Sequence, residues 1–246
     1  MENHSRDQVL GSSAAPYETR LAAACGTASD YEQVGSPSLP NYLGATGGDV
    51  FGVHDDASPS SHPLTSANIF RQVRAAGGTA RSYEEGMPRP CALESSGRYA
   101  VKHNPAAYFV GGDDRDACTR DDVTLDAFAT DLANGTLPSF AFVTPDLCND
   151  THDCPVATGD AFLAKWVDAI VSSPSYRDGS TVVFVVWDED SPMPFVVVSP
   201  TTRPGTVVAA RTDHYGLLRT TEELLGLDEF LGGAATATSL RAPFGL

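Results

Sequence analysis

Apolar residues fall along this chain in two rhythms. The runs Ser139-Phe140-Ala141-Phe142-Val143, Thr181-Val182-Val183-Phe184-Val185-Val186-Trp187 and Phe195-Val196-Val197-Val198 are short, continuous and rich in β-branched or aromatic side chains. That pattern predicts strands buried on both faces. Elsewhere apolar positions recur at helical spacing. Phe162, Trp166, Ile170 and Val171 predict a helix over residues 160–172 packed on a sheet, and Leu217, Leu218, Leu224 and Leu225 predict another that begins at His214. Further helices are expected over residues 16–24 with Leu21 inward and Gly26 as the stop, over 65–76 capped by Thr65, and over 123–133 ending at Asn134-Gly135. Residues 49–63 read as a surface loop in which His54 and His62 are solvated. Residues 79–122 read as an irregular, charge-rich excursion packed by Tyr83, Met87, Tyr99, Tyr108 and Phe109, with Asp113, Asp114, Arg115 and Asp116 as an exposed turn. No repeat or linker is visible, so one α/β domain over residues 1–246 is expected.

With 246 residues, 41% of them hydrophobic, the chain can bury a full core. A net charge of −16 argues against nucleic acid and against unaided binding to anionic membranes. It does not exclude a phosphorylated substrate, because the field inside a metal site is local. No stretch approaches the length of a bilayer span, and no apolar leader follows a basic start, so no signal peptide is expected in this chain. Of five cysteines, Cys148 and Cys154 bracket a short loop and Cys91 and Cys118 a longer one containing His103. Disulfides in those places would brace both histidine loops and point to an oxidising compartment, leaving Cys25 over. Free thiols are the alternative.

The chemistry concentrates in three clusters. Ser36-Pro37-Ser38-Leu39-Pro40-Asn41-Tyr42-Leu43 presents a hydroxyl in a rigid turn that enters a helix, a place to hold an anion beside a nucleophile. The same pattern also makes an ordinary turn and N-cap. Asp188-Glu189-Asp190 emerges where an apolar strand ends, and three adjacent acids want solvent or a cation among them. Glu2, Asn3, Asp188 and Glu189 could supply the oxygen ligands of a hard divalent cation, although a solvated acidic loop has the same composition. Asp150 and His152, after the strand over residues 139–143, could ligate a metal or grip a phosphate, or could belong to a tied turn with exposed acids.

Six segments occur in order: Glu2-Asn3-His4-Ser5, Pro37-Ser38-Leu39-Pro40-Asn41-Tyr42-Leu43, Tyr99-Ala100-Val101-Lys102-His103-Asn104-Pro105, Cys148-Asn149-Asp150-Thr151-His152-Asp153-Cys154, Trp187-Asp188-Glu189 and His214-Tyr215-Gly216-Leu217-Leu218-Arg219-Thr220. Together they resemble the bacterial phosphoesterase family of acid phosphatases and phospholipases C, within the alkaline phosphatase superfamily, essentially end to end. The resemblance implies a three-layer α/β/α sandwich and metal-dependent phosphate-ester hydrolysis through a phosphoserine on Ser38. It implies that Asn41 bonds a phosphoryl oxygen and that Glu2, Asn3, Asp188 and Glu189 hold a metal with Ser38. It also implies that His103, Asp150, His152 and His214 line the other side of the phosphate, around a second metal or the phosphate itself. Magnesium, manganese, calcium, zinc and iron all suit such donors. The implied substrate is a small phosphate ester or a phospholipid, and the implied place of work is extracellular or periplasmic. A phospholipase C or phosphodiesterase would use the same nucleophile, and a catalytically silent phosphate- or metal-binding descendant is the third reading. An α/β-hydrolase is disfavoured because there is no Gly-x-Ser-x-Gly elbow. A sulfatase is disfavoured because no maturation motif stands at the nucleophile. Three departures from the family stand out: only Met1 where an apolar first strand usually precedes the Glu-Asn pair, Ser36 where histidine is usual, and a short loop after Glu189. The uncovered edge left by a missing strand could be covered by another chain.

Overall fold

The computed structural model describes all 246 residues, and its helices flank β-structure on both faces. The strands are β1 (Gly26–Ala28), β2 (Tyr31–Glu32), β3 (Ala80–Glu84), β4 (Asp122–Thr124), β5 (Phe140–Thr144), β6 (Val183–Val186), β7 (Phe195–Val198), β8 (Thr206–Val208) and β9 (Thr212–Asp213). The α-helices are α1 (Arg6–Val9), α2 (Pro16–Ala24), α3 (Ser38–Gly47), α4 (Ile69–Ala75), α5 (Asp114–Asp121), α6 (Leu125–Asn134), α7 (Val156–Val171), α8 (Pro174–Arg177), α9 (His214–Leu224) and α10 (Arg241–Phe244). One sheet runs β6-β7-β1-β8, a second runs β4-β3-β5, and β2 pairs with β9. The second sheet is parallel throughout, with Ala80 opposite Phe140 and Glu84 opposite Thr144. In the first, β7 is antiparallel to both β6 and β1.

Alternation along the strands builds the three layers. Phe195 and Val197 pack with Phe244 of α10, while Val196 and Val198 meet Ala22 of α2 and Leu163 and Val167 of α7. Phe140 and Phe142 pack with Phe70 of α4, and Val143 turns to the opposite side, with Phe128 of α6 and Phe162 of α7. Each fully buried valine or phenylalanine contributes about 1.5–3 kcal/mol, so this two-sided burial is what holds short strands in place.

The two sheets do not join. β5 ends one and β6 ends the other, and a cleft of about 770 Å³ lies between them, lined by both strands, α7 and α9. The chain's first residues bridge its far end. The Met1 amine donates to the Val186 carbonyl (3.0 Å), Asp188 N–H donates to the Met1 carbonyl (3.1 Å), and Glu2 N–H donates to the Asp150 carbonyl (2.8 Å). Met1 thus makes one step of a parallel ladder beside β6.

Several elements differ from the sequence expectation. β3, the middle strand of its sheet, lies in the stretch expected to be irregular, because Arg81, Ser82 and Glu84 give it no apolar run. The helix expected from Thr65 begins at Ile69, where the Asn68 side chain accepts from Arg71 N–H (2.9 Å). Val123 belongs to β4, and α6 starts two residues later. Gly26 begins β1; a Cβ there would lie 2.8 Å from Phe244 and 2.9 Å from Thr202, so close packing demands the glycine. Asp114 is buried, bonded to Asn68 and paired with Arg71 and Arg74. The disulfides Cys91–Cys118 and Cys148–Cys154 are formed and Cys25 is free.

Glu18 in α2 is buried and accepts from Trp187 Nε1 (2.9 Å), beside Asp160, whose carboxylate takes the N–H groups of Tyr17 and Glu18. Burial pushes its carboxyl from 4.5 up to about 7, and the Trp187 bond offsets only part of that. The folded chain therefore keeps a proton that the unfolded chain releases. Glu18's contribution is fully present below pH 4.5 and is lost as pH rises through 7, a change on the order of 3 kcal/mol. Glu18→Gln is expected to flatten stability over that window and to be the more stable form at pH 8. Urea midpoints of both proteins at pH 5 and pH 8 check it.

Candidate active site

Ser38 opens α3 behind the N-cap Pro37, and its hydroxyl donates to Glu2 Oε2 at 3.1 Å. The turn ahead of it is held by Asn41. That side chain accepts from the N–H groups of Val34 (2.9 Å) and Gly35 (3.0 Å), and it donates to the carbonyls of Gly35 (3.0 Å) and Pro37 (3.4 Å).

Glu2 is the hub. It is 0% exposed, Tyr42 donates its hydroxyl to the second carboxylate oxygen, and Thr151 Oγ1 donates to the Glu2 carbonyl (2.9 Å). His103 sits between two acids, with Nε2 at 3.2 Å from Glu2 and Nδ1 at 3.2 Å from Asp150. The Tyr42 ring stacks on His103 with centroids 5.1 Å apart and planes 10° apart. Burial would push the Glu2 carboxyl up, but the His103 charge and contact, the amino terminus and Tyr42 together hold it down at about 2. Burial would likewise lower His103, yet Glu2 and Asp150 carry it up to about 10.

Around this pair the polar atoms are not satisfied. Asn3 Oδ1, Asp150 Oδ2, Asp188 Oδ2 and both ring nitrogens of His103 are buried without an aligned hydrogen bond. Such atoms cost about 1–3 kcal/mol each when left unpaired. Burial, and then Glu2, push the Asp188 carboxyl well above the usual range, and burial raises half-buried Glu189 despite a bond from Ser36. Asn3 stands in left-handed backbone (φ 53°), which asparagine tolerates, and its N–H lies 3.3 Å from Asp188 Oδ1. Ligand atoms of Glu2, His103 and Asp150 lie within 4.8 Å of one another. Crowded, unpaired oxygens with one imidazole are the donor set of a divalent cation, so these residues fit one.

Ser38, Glu2, His103 and Asp150 are directly linked, and Asp188 and Asn3 adjoin them. His152 is half-buried at the edge: its ring centroid lies 5.9 Å from that of His103, Nδ1 bonds Asp153 (2.7 Å), and Nε2 lies 3.5 Å from Lys102 Nζ. His214 starts α9 as expected, but both its nitrogens are engaged. Nε2 donates to the Asp188 carbonyl (2.8 Å), so Nδ1 accepts from the Tyr31 hydroxyl (2.8 Å). Burial lowers its pKa to about 4. In this geometry Asn41 and His214 position backbone around the site.

Sequence reasoning missed Tyr42, Lys102 and Asp56. Asp56 Oδ1 accepts from Leu39 N–H (3.0 Å) at the start of α3 and Oδ2 from Lys102 Nζ (2.9 Å). Tyr42 follows Ser38 by four residues, one helical turn, and that spacing was a usable signal. Nothing in the sequence around Asp56 distinguished it from the other acids of its loop.

A model of the Phosphoesterase family matches residues 1–193. A phosphatidylinositol-3-phosphatase of Mycobacterium tuberculosis is 30% identical over 232 residues, 92% of this chain and 75% of that protein. An acid phosphatase of Aspergillus fumigatus is 30% identical over 171 residues, 65% of this chain and 37% of its own. A probable acid phosphatase of Kluyveromyces lactis is 28% identical over 201 residues, covering 77% of this chain and 46% of that one. The chain thus spans less than half the length of these two fungal relatives.

His103→Gln would leave two buried carboxylates facing an uncharged amide, and a loss of about 3–5 kcal/mol is expected in chelator-treated protein. Glu2 is lowered from 4.5 and His103 raised from 6.5, so the pair contributes fully between those values. Its contribution falls away as pH drops toward 2 or rises toward 10. The gap between parent and variant in urea unfolding should be widest between pH 4.5 and 6.5.

Proposed function

The chain belongs to the Phosphoesterase family and is a phosphoric ester hydrolase, and from that premise we propose that it is a metal-dependent phosphomonoesterase acting through a phosphoserine on Ser38. The observation that carries this reading is the Ser38 hydroxyl at the start of α3, bonded to a buried glutamate inside a cluster of unpaired oxygen donors. A divalent cation held by Glu2, Asn3, Asp188 and Glu189 with Ser38 would supply positive charge for the phosphoryl oxygens and for the serine oxygen. Asp150 and His103 stand behind it, where a second ion would also find ligands.

The chain's own groups divide the remaining work. Ser38 Oγ, oriented by its hydrogen bond to Glu2, attacks phosphorus and releases its proton to solvent. The P–O bond to the leaving group breaks, and His152 donates a proton to the departing oxygen. Water then attacks the phosphoserine and gives a proton to His152. Inorganic phosphate leaves, and Ser38 recovers a proton from solvent. Asn41 and His214 keep the Ser38 turn and the Asp188 backbone in place, so they act as positioning residues.

The name of the mycobacterial relative supports a phosphate monoester on a lipid headgroup as one substrate class. A phosphodiesterase or phospholipase C would share the nucleophile. The two disulfides support work in an oxidising compartment, outside the cell or in a periplasm. No helix is long and apolar enough to cross a membrane.

Turnover of p-nitrophenyl phosphate is expected to be chelator-sensitive and to fall about 10⁴-fold or more in Ser38→Ala. A serine-bound phosphate should be trapped from the parent alone. Preference for the bis-ester would favour the diesterase. No turnover from folded protein, across added metals and pH, would leave the silent descendant. Asp56 holds its charge on the first turn of α3, where a substrate anion would gain from the same N–H group. Asp56→Ala is expected to tighten inhibition by inorganic phosphate about tenfold, since a like charge is removed. Inhibition constants for the two proteins check it.

A further inference from the structure

Lys102 stands at the mouth of the site, and the chemistry given to Ser38, Glu2 and His152 leaves it without a task. The chain has only two lysines, and the other, Lys165, lies over the Trp166 ring (4.3 Å). Lys102 belongs to the tight helical turn Val101–His103, where both of its neighbours are pinned. Val101 is buried with Leu39, Tyr99 and Tyr108, and His103 is wedged between Glu2 and Asp150. The backbone that carries the ammonium is therefore fixed by the contacts that fix the site.

Its own contacts show which part of an ester it would meet. Nζ donates to Asp56 Oδ2 (2.9 Å) and lies 3.5 Å from His152 Nε2. His152 Nδ1 is committed to Asp153 (2.7 Å), so Nε2 is the nitrogen left to face a departing oxygen. The ammonium thus sits beside the alcohol half of the substrate. An ammonium has three N–H donors; Asp56 takes one and His152 faces at most one more, so one has no protein partner. The nearby acids are already engaged. The other oxygen of Asp56 holds Leu39 N–H (3.0 Å), and Asp55 is taken by His62 (2.6 Å). The side chains of Lys102 and Asp56 are 20% and 27% exposed, open enough to admit a ligand and enclosed enough that solvent screens the charge only in part. In a chain of net charge −16, an anionic alcohol nearing Asp56 and Asp153 is repelled unless a cation meets it.

We propose that Lys102 is a specificity-determining residue that binds a second anionic group, carboxylate or phosphate, carried by the alcohol of the substrate. The preferred esters are then phosphomonoesters of anionic alcohols, and Asp56 is the built-in competitor for the same ammonium. The proposal rests on the phosphomonoesterase reading, which places the alcohol at His152.

The test compares meta-carboxyphenyl phosphate with its neutral isostere, meta-carbamoylphenyl phosphate, under one set of added metals. The parent is expected to favour the carboxylate about tenfold in kcat/KM, the worth of one partly enclosed ion pair. A meta-phosphonophenyl ester should gain at least as much. In Lys102→Met the ratio of the two esters should fall to about one, in Lys102→Arg most of it should survive, and in Asp56→Asn it should widen. A merely structural lysine would lower both esters equally and leave the ratio unchanged, which would overturn the proposal. So would a ratio of about one in the parent. If the parent turns over neither ester, the phosphomonoesterase reading fails by itself. Calorimetry with meta-carboxy- and meta-carbamoylbenzylphosphonate then reads the same ratio as binding, and equal affinities, or no binding of either, would overturn the proposal.

Discussion

A single carboxylate, buried without any exposed surface, organises the candidate active site of this molecule. Glu2 can stay ionised there because His103 lies against it and two hydroxyls, from Ser38 and Tyr42, point at it. Those groups come from parts of the chain far from Glu2, and each is fixed by the element that carries it. The start of α3 supplies Ser38 and, one turn on, Tyr42. The turn between β3 and α5 supplies His103, and the loop after β5 supplies Asp150 on its far side. A charge in a low-dielectric interior is tolerated only when its partners are pre-placed, so the surrounding loops have little freedom to vary in position.

That requirement explains how residues without helix or strand of their own are held. Met1 and Glu2 make backbone bonds to the exits of both β5 and β6, so they clip the two sheets together at the site. His214 performs a similar task further back, carrying the Asp188 carbonyl on one ring nitrogen and Tyr31 on the other. The acids that remain are crowded against one another, and burial makes their charge expensive. A divalent cation would resolve that conflict, and the buried oxygens of Asn3, Asp150 and Asp188 are donors that fit one.

How much of this was legible in the sequence depended on what each residue answers to. Strands β5, β6 and β7 were readable because they are written in valine and phenylalanine, and β7 is buried on both faces. β3 was not, since its buried Ser82 and Glu84 are polar and find partners in each other rather than in an apolar run. An α/β class was visible in the two apolar rhythms and the cysteine pairs in their spacing, with free thiols as the alternative, whereas the three-layer arrangement was implied only by the resemblance that the ordered motifs carry. The roles of Asn41 and His214 were not, because which way an amide or imidazole points is decided by backbone atoms far away in the chain. Asp56 was hidden for a related reason: one acid among several in a loop is distinguished only by the helix start it reaches.

The two disulfides close loops of very different size, spanning 27 and 6 positions, and each encloses part of the chemistry. His103 lies inside the first and Asp150 with His152 inside the second. The first segment is also packed through Tyr99, Val101, Tyr108 and Phe109, whereas the second has no long helix or broad apolar face, so covalent closure supplies much of its restraint. The ionisation of the buried acids is thereby tied to the electron balance of the surroundings. Thiols able to open these bridges would loosen both flanks of the His103 imidazole at once, and the site would respond to reductant without any of its acid or base groups being altered.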